Sequence, residues 1–101
     1  MLYHEAEVYV SPRVQEVVAM LDSLQDTTHH LDRVQAHLST RNLSDPTEST
    51  RDLMRQRDEL QNTRQRIINY SRFAISELSK ANFEILLGMR EEIVRYLAPR
   101  R

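Results

Sequence analysis

The side chains best suited to metal or proton chemistry in this chain are His4, His29, His30 and His37. Asp26 and His30 are four apart, a spacing that sets two ligands on one face of a helix. His37 stands two turns further on, and no third ligand lies close enough in sequence to complete a site. A polar helix face with solvated histidines accounts for the same residues, so no metal is expected. The serines lack a matched base: there is no Gly-x-Ser-x-Gly elbow, and one Gly in the chain precludes a Gly-rich phosphate loop. Glu91-Glu92 and the Glu5/Glu7 pair are neighbouring acids with no cleft to shift their titration. The expectation is no catalytic residue, no cofactor and no enzymatic activity.

Arginine is the other chemistry-bearing type. Of the 14 basic residues 13 are Arg, and Arg51, Arg55, Arg57, Arg64, Arg66 and Arg72 fall in one run with three acids, a local charge of +3. Residues 1–32 hold one Arg against six acids, a local charge of −5. The run could follow a phosphate backbone, with Tyr70 and Phe73 as thin aromatic interleaving, which makes an Arg-mediated nucleic-acid binder one alternative. Pairing of these arginines with the acidic first segment explains the same residues, because the forked guanidinium suits packed ion pairs.

At 101 residues the chain is long enough for one small domain. With 40% hydrophobic and 29% charged residues, one Gly and three Pro, it suits a helical, elongated fold better than a turn-rich sandwich or barrel. The absence of Cys excludes disulfides, thiolate metal sites and a cysteine nucleophile. No export-like N-terminal segment is apparent, and the most apolar stretch, 73–97, is interrupted by Glu77, Lys80, Glu84, Arg90, Glu91 and Glu92. The expectation is a cytoplasmic protein with no spanning helix.

The elements follow from period and caps. Residues 1–11 read as an extended arm, with Val8-Tyr9-Val10 favouring a strand by propensity. Ser11-Pro12 supplies an N-cap and a first helical residue. Helix 1 is expected over 12–40, with a seam at Val10, Val14, Val17, Leu21, Leu24, Thr28, Leu31, Gln35 and Leu38, widened by Val18 and Val34. Residues 41–45 form the turn. Asp45-Pro46-Thr47-Glu48 then reads as a capped start, and helix 2 is expected over 46–97 with a bend or break at 76–88, where Ser76, Ser79, Asn82 and Gly88 weaken it. The fold class is all-α: an antiparallel, coiled-coil-like helical hairpin in one domain. Its register should set residue i near 87 − i, pairing Asp22 with Arg64 or Arg66 and Asp32 with Arg55 or Arg57.

Helix 2 so drawn outruns helix 1 by about twenty residues, and the surplus is its most apolar part. Phe83, Leu86, Leu87, Ile93, Val94 and Leu97 are therefore expected to form an interface. The partner is a second copy of the chain, as a dimer or higher oligomer, or a helix of another protein. The alternative is a third helix folded back inside the monomer, which needs a break near 79–88. Insertion of the segment into a membrane surface is disfavoured by Glu84, Glu91 and Glu92 on its polar side.

In chain length, in its two helices and in the Ser44-Asp45-Pro46 turn, the layout resembles the small helical hairpins of bacterial secretion systems, the needle-type subunits and their co-chaperones. The resemblance implies a small subunit or a chaperone-like role. It carries over no functional residue, and the Trp-x-Gly turn of another secreted hairpin family is missing, since the chain has no Trp.

Overall fold

The computed structural model describes residues 10–98. Of the expected arm, residues 1–9 lie outside the described residues. Among the described residues the chain is all-helical, with helix α1 packed antiparallel on α2 as a hairpin.

Helix α1 spans Pro12–Leu38 and starts where the cap signal sets it. Ser11 is extended, and its Oγ accepts from the Val14 N–H at 3.2 Å. Two hydroxyls end the helix by donating to last-turn carbonyls, Ser39 Oγ to Ala36 O and Thr40 Oγ1 to His37 O. Its buried residues are Val14, Val17, Leu21, Leu24, Leu31, Val34 and Leu38. The expected seam is therefore present, with Val34 buried in place of the exposed Gln35 and Thr28 half-buried.

The connection to α2 (Glu48–Ser76) is longer than expected. Asp45 is not the cap. Thr47 is, with its Oγ1 accepting from Thr50 N–H at 3.2 Å. The loop before it contains an Asx turn, Ser44 N–H donating to Asn42 Oδ1, and is tied to α2 by the Arg41 guanidinium on Ser49 and Thr50. No described residue has positive φ, so the turn needs no glycine.

Across the hairpin Arg64 Nε donates to Thr28 Oγ1 at 3.0 Å, a contact the expected pairing did not include. The expected cross-helix ion pairs are not made among the described residues. Asp22 binds Arg90, while Arg55 pairs with Asp52 and Arg57 with Asp58 along α2 itself.

Helix 2 is not continuous to residue 97. It ends at Ser76, and α3 (Lys80–Met89) and α4 (Glu91–Leu97) follow. Ser76 Oγ donates to Phe73 O, the Glu77 N–H is shared between Phe73 O and Ala74 O, and Leu78 N–H reaches Ile75 O. These short-range bonds tighten the last turn and stop the helix. Ser79 restarts the chain, its Oγ accepting from Asn82 N–H. The break falls inside the weak 76–88 stretch, but Gly88 is not its cause: that residue is exposed within α3. A second break at Arg90 (φ −141°, ψ 60°) separates α3 from α4.

Straight continuation would have carried the apolar end past α1 into water. Folding back instead merges Leu86, Val94 and Leu97 with Val14, Val17, Leu21, Leu24, Ile68, Ala74 and Ile75 in one core. Each fully buried Leu or Val is worth roughly 1.5–3 kcal/mol, ample reason to interrupt the helix. Leu31, Val34 and Leu38 are also buried but stand apart from that cluster, towards the turn of the hairpin, and Leu53, Met54 and Leu60 on α2 are half-buried.

Candidate interaction surface

The six expected interface residues do not form one external face. Leu86, Val94 and Leu97 are core residues, 0–2% exposed. Phe83, Leu87 and Ile93 are half-buried against that core. The overhang supposed to need a partner is thus covered largely by the chain's own α1 and α2, because two breaks let it turn back.

Arg90 fastens this arrangement. Its Nε and Nη2 both donate to Asp22 Oδ1, at 3.4 and 3.3 Å, while Nη1 donates to Met89 O. At the other end of α4, Arg72 Nε donates to the Leu97 carbonyl at 3.2 Å. These bonds join the α3–α4 unit to α1 and to α2 respectively.

An open cleft of about 460 Å3 lies where α4 crosses α1 and α2. Leu24 and Ile93 are among its apolar lining, and His29, Asp32, Arg64, Glu92 and Tyr96 supply the polar lining. Arg64 is committed to Thr28 Oγ1. No hydrogen bond within the described residues joins His29 to Asp32 or Glu92, so no base–orienter pair is assembled there. Asp26, His30 and His37 are exposed along α1, and no group of three potential metal ligands occurs among the described residues.

The feature that stands out from solvent is on α2. Tyr70 and Phe73 are each 66% exposed, the most exposed of the large hydrophobic residues described. Their phase explains this. Ile68, Ser71 and Ile75 point into the core, and a step of two residues turns a helix by about 200°. Tyr70 lies two past Ile68, and Phe73 lies two past Ser71 and two before Ile75, so both rings point away from the hairpin. Being three apart, they are neighbours on that outer face.

Arg66 sits one turn before Tyr70 and Glu77 one turn after Phe73, and both are exposed. Arg66 Nη2 donates only to Thr63 Oγ1 among the described residues. From the sequence alone, Tyr70 and Phe73 are no more than thin aromatic interleaving for the Arg run. The signal that locates them is their phase relative to Ile68 and Ile75, which requires knowing which side of α2 faces α1.

Comparison with protein-family models, with curated proteins and with solved structures finds no match to this chain. No described helix is long and apolar enough to cross a membrane.

Proposed function

We propose that this chain is a non-enzymatic assembly module that docks another protein chain on the outer face of α2. The observation carrying the reading is the pair of aromatic rings, Tyr70 and Phe73, held two-thirds exposed on a rigid helix. Desolvating two adjacent rings is a strong incentive to associate, and aromatic residues are the usual anchors of protein interfaces. The expected interface moves accordingly. Leu86, Val94 and Leu97 brace the helix bundle, and the docking surface lies on α2.

A phosphate chain is a poorer occupant of the same helix. Asp52, Asp58 and Glu59 are exposed along it and Glu77 at its C-cap, and two of the arginines are already paired with Asp52 and Asp58. A secretion-type subunit or co-chaperone is one kind of protein that would use such a surface.

Light scattering coupled to size exclusion, on the wild type and on Phe73→Asp, tests the reading. The wild type should show a mass above 12.0 kDa that rises with concentration, and the variant should stay at 12.0 kDa with unchanged helicity. Equal masses for the two at every concentration contradict it.

A further inference from the structure

The outer face of α2 is self-complementary. In chain order it presents Arg66, Tyr70 and Phe73, continued by Glu77, the C-cap just past its end, at spacings of four, three and four. That is a cation, two aromatic rings and an anion along one 4-3-4 seam, the spacing by which helices pack lengthwise. Turned end for end and laid on itself, the seam brings together positions whose numbers add to 143. Arg66 then meets Glu77 of the second copy, and Tyr70 meets Phe73 of the second copy, each pair occurring twice.

We propose that the occupant of this face is a second copy of the same chain, docked antiparallel about a twofold axis passing between Tyr70 and Phe73. The proposal rests on the interaction-module reading above and adds the partner and its orientation. A twofold interface must be self-complementary, with residue i touching j and j touching i, and this seam meets that condition at all four positions. Charge selects the direction. A parallel pairing would set Arg66 against Arg66 and Glu77 against Glu77, whereas the antiparallel one places opposite charges at both ends. Neither Arg66 nor Glu77 is in an ion pair with another described residue, so no described pair has to break first. The rings meet in the middle, where edge-to-face contact between Tyr and Phe is favoured.

The patch is small. An aromatic side chain buries about 150–250 Å2, so four rings two-thirds exposed supply roughly 400–650 Å2. A standard interface buries about 1,200–2,000 Å2. The dimer is therefore weak, and forms at high concentration or when copies are held near one another.

The experiment is a charge-swap cycle read by sedimentation velocity between about 10 μM and about 1 mM. The proteins are the wild type, Arg66→Glu, Glu77→Arg and the double variant. Both substituted sites are exposed, so circular dichroism should be unchanged. Each single swap puts like charges face to face and should weaken the dimer about tenfold, while the double variant should return to within about threefold of the wild type. Self-association indifferent to the swaps but lost in Phe73→Asp overturns the twofold pairing and leaves the interaction reading standing. Single swaps that weaken without rescue in the double variant also overturn it. A wild type monomeric to about 1 mM overturns it too, and a single-stranded oligonucleotide bound through Arg66 in that case would replace protein by nucleic acid as the occupant.

Discussion

Leu86→Ala should destabilise the protein by about 3 kcal/mol. Leu86 is fully buried in α3, inside the cluster formed with Val14, Val17 and Leu21. The substitution removes about three methylene equivalents at roughly 0.8 kcal/mol each, and incomplete collapse of the vacated space adds to that. A domain of this size is stable by about 5–10 kcal/mol, so the variant should remain folded with a markedly reduced margin. Urea unfolding followed by far-ultraviolet circular dichroism reads this directly. With a slope of about 1–1.5 kcal/mol per molar urea, the midpoint should fall by about 2–3 M. A loss below about 0.5 kcal/mol would refute the reasoning, because it is what a solvent-facing position shows. It would mean that the apolar end of the chain is not intramolecular core.

Three further substitutions probe the same account. Gly88→Ala should stabilise by about 0.5–1 kcal/mol in the same urea assay, since an added Cβ meets nothing within 4 Å and the residue is helical. Ser71→Ala should be neutral or stabilising by about 1–2 kcal/mol in thermal unfolding, because Ser71 Oγ is buried with no hydrogen-bond partner. Asp22→Asn should cost no more than about 1 kcal/mol, and that cost should shrink in high salt, because Asp22 and Arg90 have side chains 50% and 33% exposed.

Much of the fold was legible in local signals. The α1 seam and the Ser11-Pro12 start needed only period and capping chemistry, and both hold. The hairpin was legible too, but its cross-helix pairs and the second cap were not: Asp45 was the expected cap, and Thr47 is the cap observed. Arg41 reaches across the loop to Ser49 and Thr50, a contact no local pattern reveals. The continuity of helix 2 turned on the same kind of nonlocal term. Ser76, Ser79 and Asn82 marked a weak stretch, yet only the burial of Leu86, Val94 and Leu97 in the core shared with α1 and α2 makes a break worth its lost helical bonds. The outer aromatic pair was hidden for a related reason. Tyr70 and Phe73 sit among Ile67, Ile68, Ala74 and Ile75, and nothing in composition says which of these face water.

The most direct test of the central claim is a residue-resolved map of where this chain touches another. Amide spectra of the isotope-labelled protein, recorded from about 20 μM to about 1 mM, supply it. Concentration-dependent shifts confined to the outer positions of α2, around Arg66, Tyr70, Phe73 and Glu77, are the predicted result. Shifts centred instead on Phe83, Leu87 and Ile93 would show that the C-terminal helices carry the interface, and would contradict the account.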